Sequence, residues 1–265
     1  MTTIIVHGTF ASTEDWYWDS WHSEGFCQNL SSAMIQATGQ HDVWRVQGVP
    51  VDKIAELNPK RGVWFGRIGQ ISQRKGHFIW SGDYNAISRN LAANELARYV
   101  NVIGGLTGEP IRIIAHSHGC NVVKQMSASP KLNASVFIER AVFLACPHFY
   151  TDEYRQKGAF DLSMEAVGKI FLYQLQPDRF GRIANMYSSR DPVVKTLADK
   201  LATPSGWKYE IPTVSFTDLD PNAHGLYENY EMKVPANIKG TAVHGWLHSP
   251  EMAYTVGLWL EQGYF

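Results

Sequence analysis

The run Ile111-Arg112-Ile113-Ile114-Ala115-His116 passes without a spacer into Ser117-His118-Gly119-Cys120-Asn121-Val122-Val123, and few chain geometries accommodate both halves. The first half is short and rich in β-branched residues, as in strands buried on both faces of a parallel sheet. The second half spaces Val122, Val123 and Met126 for a helix that must stop before Pro130. A strand entering a helix through one residue requires a sharp turn, with small side chains two positions before and two positions after it. Here these are Ala115 and Gly119.

The rest of the chain repeats this alternation. Strand-like runs fall at 3–7, 42–47, 111–116, 140–146, 183–188 and 240–244, with helix-like segments between them. The pattern predicts an α/β fold, a mostly parallel central sheet flanked by helices on both faces. Ile87, Leu91, Leu96, Tyr99 and Val100 recur at helical spacing over 86–102, and Gly104-Gly105 is expected to end that helix. Ser249-Pro250-Glu251 announces a last helix through 252–260, a cap residue followed by Pro at the first helical position. Residues 49–76 and 149–179 fit the alternation poorly and read as insertions, a lid or pocket wall, within a single domain spanning 1–265.

Composition narrows the class. A chain of 265 residues with 45% hydrophobic and 18% charged side chains has material for a sizeable core. The net charge of -1, with no block of like charge, gives no footprint for nucleic acid or anionic lipid and favours a neutral or small substrate. Cys27, Cys120 and Cys146 lack disulfide-framework spacing and are expected to be thiols. The start, Met1-Thr2-Thr3-Ile4-Ile5-Val6, has no basic region or cleavable apolar stretch, and no run is long enough to span a bilayer. A cytoplasmic setting is the default expectation, with signal-independent export still open. Oligomeric state is not legible.

A serine hydroxyl is a weak nucleophile at neutral pH, so its use requires an exposed turn, a neighbouring base and donors for the oxyanion that forms. Strand, Ser117 and helix supply the turn, the context of a nucleophile elbow. An equally simple role for such a serine is a helix N-cap.

On Ala115-His116-Ser117-His118-Gly119, the chain resembles the lipase and serine-esterase branch of the α/β-hydrolase superfamily, with Ala in place of the first Gly of G-x-S-x-G. The resemblance extends over most of the chain. It includes His7-Gly8-Thr9 after the first strand, Trp80-Ser81-Gly82-Asp83 leading to Arg89 and Ala92-Ala93, Arg190-Asp191-Pro192-Val193, and a late His before the last helix.

The resemblance implies hydrolysis of acyl esters through a covalent acyl-enzyme, without cofactor or metal, and the chain order nucleophile, acid, histidine. Asp191, just past a strand-like run, stands where the acid is expected; Asp218 and Asp220 are alternatives, and a cap or an ion pair with Arg190 is the structural reading. His244 stands at the base's expected offset before Pro250, with His248 and His224 as alternatives. The oxyanion donors would be the backbone N–H of His118 and that of Thr9 or Phe10. Trp16, Tyr17, Trp18 and Trp21 would line the mouth of the site, or simply pack their loop onto the core.

Other readings compete. His116-Ser117-His118 is an H-x-H pair that could ligate a metal, although no second ligand motif accompanies it. The same scaffold can serve as a non-catalytic binding protein, and acyl transfer to an acceptor other than water would use the same three residues.

Overall fold

The computed structural model describes residues 2–8, 77–78, 80–82, 86–108, 110–149, 175–194, 207–208 and 227–265. Among them the elements follow in the order β1 (Thr2–Val6), β2 (His77–Phe78), α1 (Ala86–Thr107), β3 (Ile111–His116), α2 (His118–Ser127), β4 (Ile138–Leu144), β5 (His148–Phe149), a 3-10 turn (Pro177–Arg179), β6 (Phe180–Tyr187), β7 (Trp207–Lys208), β8 (Tyr227–Glu231), α3 (Ala242–Trp246) and α4 (Pro250–Gln262). Six of the described strands form one sheet in the order β2-β1-β3-β4-β6-β8. Every described pairing in it is parallel. β5 and β7 form a separate antiparallel ribbon. The fold is α/β, as the alternation predicts.

The apolar runs need no alternation because both faces of the sheet are covered. Ile4, Val6, Ile113, Ala115, Ala141 and Phe143 point to one side, against Leu96 and Val100 of α1 and Val122 and Met126 of α2. Ile5, Ile114, Val142, Leu144 and Met186 point to the other, against Val256, Trp259 and Leu260 of α4. All six residues of β3 are buried, and all ten of α2. Burying a Leu- or Ile-sized side chain contributes roughly 1.5–3 kcal/mol, so this double coverage holds the central strands in place.

Charged side chains tie α4 to the sheet. Arg112, Arg140 and Arg182 lie in register across β3, β4 and β6. Three adjacent cations would repel, but each has an acceptor. Arg112 pairs with Glu139 at 3.0 Å and with Glu261 at 2.6 Å. Arg140 donates to the carbonyls of Trp259 and Leu260. Arg182 pairs with Glu228 and donates to the Gly263 carbonyl at 2.9 Å. The last carbonyls of a helix lack intrahelical donors and carry its negative dipole end, so these arginines anchor the C-terminus of α4. At its other end Ser249 Oγ accepts from the Met252 N–H at 3.4 Å, the cap expected from Ser249-Pro250-Glu251.

Several expectations need correction. Residues 240–244 are not a strand; Ala242–Trp246 is a short helix. Ala242 is exposed while Val243 and Leu247 are buried four residues apart, a helical rather than an alternating pattern. The sheet's last described strand is instead β8, Tyr-Glu-Asn-Tyr-Glu, half-exposed at the edge and too polar to stand out as a strand. α1 runs through Gly104-Gly105 and ends at Gly108, whose φ of 59° is a left-handed cap conformation. A Cβ on Gly104 would meet Ile111 Cδ1 at 3.4 Å. Leu91 is exposed rather than on the buried face of α1. α2 ends at Ser127, before Pro130 as its sequence requires.

All of 49–76, most of 149–179, Cys27 and the strand expected at 42–47 lie outside the described residues. Cys120 and Cys146 are buried thiols, Cys120 donating to the Ala115 carbonyl. Among the described residues no helix is long and apolar enough to cross a membrane.

Candidate active site

The turn between β3 and α2 places Ser117 at the carboxyl edge of the sheet. Its φ of 53° and ψ of -129° are a conformation L-residues seldom adopt, costing about 1–3 kcal/mol, which persists only when the surroundings enforce it. They do so from three sides. The Ser117 N–H donates to the Leu144 carbonyl at 2.8 Å, and its carbonyl accepts from the Cys120 N–H at 3.0 Å. A Cβ on Gly119 would lie 2.4 Å from the His7 carbonyl oxygen and 2.6 Å from that of Val6. A Cβ on Gly8 would lie 2.8 Å from Ser117 Cβ. Each glycine lets one backbone approach the other, so the end of β1 and the start of α2 interlock around the serine. Ser117 makes no side-chain cap bond to its helix, which removes the N-cap explanation for it.

Asp191 follows β6 and is 1% exposed. Its Oδ1 accepts from the Val193 N–H at 2.9 Å, so the capping role is real. Its other oxygen is turned elsewhere: Oδ2 lies 2.6 Å from Nδ1 of His244. A carboxylate can only accept, which puts the imidazole proton on Nδ1 and leaves Nε2 as the basic nitrogen. Arg190 donates to the carbonyls of Val234 and Ile238 and anchors the loop leading to His244.

No family model matches this chain, and no curated protein matches it.

The geometry of the site separates the two late histidines. His244, half-buried, makes the carboxylate bond. His248 sets its ring edge-on to His116 with centroids 4.4 Å apart, and His116 packs against His244 at 4.6 Å. The Ser117 hydroxyl is buried and has no hydrogen-bond partner among the described residues.

The early strand contributes through His7. Its Nε2 accepts from the Trp80 N–H at 3.1 Å, which leaves the proton on Nδ1 to donate to the Gly8 carbonyl at 2.8 Å. Trp80 returns a bond from its indole N–H to the His7 carbonyl and stacks on the ring. The Gly8 backbone against Ser117 is thus tied to Trp80, just past β2. His118, whose N–H begins α2, turns its ring to Asn121, whose Nδ2 also donates to the Pro147 carbonyl.

Burial governs the electrostatics. It lowers His7 and His248 to about 4, holds His116 well below its ordinary value, and does the same to His118 with help from the Arg89 charge. Four histidines around the serine are thus kept neutral.

The strand that would set His116 and His118 on one face for a metal ends between them: His118 is in α2 with its ring on Asn121, and His116 packs against His244 and His248. No cluster of metal-ligating side chains occurs among the described residues. Thr9, Phe10, Trp16, Tyr17, Trp18, Trp21, Asp218, Asp220 and His224 lie outside the described residues. A groove of about 510 Å³ between β8, α3 and α4, lined by Tyr230, Met232, Trp246, Met252 and Phe265 among others, includes none of Ser117, Asp191 or His244. Two features escaped the sequence. The Trp80 link to His7 had no local signal, and the His116 ring contacts depend on residues more than a hundred positions apart.

Proposed function

We propose that the chain is a serine hydrolase with the α/β-hydrolase arrangement, cleaving carboxylic esters of small-molecule or lipid type. The observation that carries this reading is the 2.6 Å bond between Asp191 and His244, at the same sheet edge as a serine in a strained strand-to-helix turn. Neither half explains the other structurally. A cap needs no imidazole, and a serine at φ 53° without a cap bond gives the fold nothing in return for its strain.

In this mechanism Ser117 Oγ attacks the ester carbonyl while His244 Nε2 takes its proton. The tetrahedral oxyanion is held by the His118 N–H and by an N–H of the loop after Gly8, that of Thr9 or Phe10. Collapse expels the alcohol, which leaves with the proton from His244, and the acyl group stays on Ser117. Water, deprotonated by the same imidazole, then releases the acid. Asp191 holds the tautomer and stabilises the imidazolium formed in each half.

The test is a panel of p-nitrophenyl esters from acetate to palmitate, run with fluorophosphonate labelling. Wild type should label at Ser117, and Ser117→Ala should cut kcat by roughly three orders of magnitude or more with the fold intact. Turnover that survives Ser117→Ala nearly unchanged refutes the mechanism. A folded wild type that neither labels nor turns over leaves the non-catalytic binding reading.

A further inference from the structure

An imidazole that shuttles protons must be held in position as well as in tautomer. One hydrogen bond along Nδ1, that from His244 to Asp191, defines the nitrogen but lets the ring tip about the bond axis. Packing on the ring has to stop that motion. The packing comes from His116, whose ring centroid is 4.6 Å from that of His244 at an interplanar angle of 53°. His116 is itself wedged. His248 stands edge-on to it at 4.4 Å, and a Cβ on Gly8 would come within 3.0 Å of its Nδ1.

The covalent connection gives this stack its meaning. His116 is the residue before Ser117, on a strand end that is buried and locked to β1 and β4. The ring packed against His244 therefore hangs from the same backbone as Ser117, one residue before it. The stack also suits the charge that develops. The titratable groups facing His116 are His7 from the end of β1 and His244 and His248 from the segment before α4. Burial keeps His7, His116 and His248 neutral, so an imidazolium on His244 meets neutral rings instead of a second cation.

We propose that His116 is a positioning residue for His244, with His248 as its buttress: a three-ring stack, hung from the nucleophile strand, holds the proton shuttle in register with Ser117. The proposal rests on the serine-hydrolase reading.

Purified His116→Ala, His116→Phe and His248→Leu are compared with wild type on p-nitrophenyl acetate, with thermal melts and fluorophosphonate labelling in parallel. His116→Ala should lower kcat about 100-fold with KM within about two-fold, the scale set by an ångström of misplacement. His116→Phe, which restores a ring of similar thickness, should return to within about five-fold of wild type, and His248→Leu should lose roughly ten-fold in kcat, both on the same scale. A folded His116→Ala with wild-type kcat overturns the proposal, as does a His116→Phe as slow as His116→Ala, or a loss confined to KM. If His116→Ala does not melt cooperatively, His248→Leu decides, and a wild-type kcat there overturns the stack. Failure of wild type to label at Ser117 removes the serine-hydrolase reading itself and the proposal with it. Labelled wild type with insensitive stack variants overturns the positioning role alone.

Discussion

Lowering the pH from 7 to 5 should strip this protein of a large part of its stability, and His7 allows the size of the loss to be worked out. The side chain is fully buried, and its Nε2 accepts the Trp80 N–H, a bond that protonation would destroy. Burial lowers its folded value from 6.5 to about 4. Above pH 6.5 neither folded nor unfolded chain binds this proton, and the stabilisation is fully present. As the pH falls, the unfolded chain takes up a proton that the fold refuses. Stability drops by about 1.4 kcal/mol per pH unit, so that roughly 2 kcal/mol is lost by pH 5 and about 3 by pH 4, where the fold itself begins to protonate and the loss levels off. His116, His118 and His248 move in the same direction, so the loss at pH 5 should exceed that of one histidine. Against a typical total of about 5–15 kcal/mol, this is enough to bring the fold near its limit. Urea unfolding followed by tryptophan fluorescence at pH 7, 6 and 5 measures it for wild type and His7→Gln, whose amide does not titrate. The stability difference between the two should shrink by about 2 kcal/mol from pH 7 to pH 5. A wild-type stability that is flat over this range, or a difference that does not change, refutes the reasoning.

The other predictions concern single side chains. Asp191→Asn keeps an oxygen for the Val193 N–H but loses the charge and the tautomer control, so kcat on a p-nitrophenyl ester should fall by roughly 10³–10⁴ while the melting temperature moves little. Gly119→Ala places a methyl 2.4 Å from the His7 carbonyl oxygen, and backbone must give way. The expected cost is about 3 kcal/mol in urea unfolding, accompanied by loss of fluorophosphonate labelling. Glu261→Gln leaves the buried Arg112 with the partly exposed Glu139 as its remaining described carboxylate and should cost about 3 kcal/mol, and a loss below about 1 would show the pair to be dispensable.

The central features were legible because they are local. β3, Ser117 and α2 are continuous in sequence, and the periodicity of each run, with Ala115 and Gly119 in place, carries both the fold class and the candidate nucleophile. Ser249 and Pro250 similarly announce α4 through backbone chemistry that needs no partner. Where a segment's character depends on what covers it, local reasoning failed. The polar β8 is a strand because β6 offers it a ladder, and 240–244 turns helical because Val243 and Leu247 find a core on one side.

The pairing of distant residues was decided by tertiary structure alone. Spacing could rank His244 above His248, but both stand at plausible offsets from α4. Only the packed sheet, bringing the end of β6 beside α3, puts Asp191 on His244 and turns His248 to His116. The arginines in register on β3, β4 and β6 likewise read as scattered charges until α4 lays its terminal carbonyls across them. The chain by itself determined which residues could carry the chemistry, since residue type and backbone period are properties of sequence. Which of them meet is a matter of distance, and distance exists only once both faces of the sheet are buried.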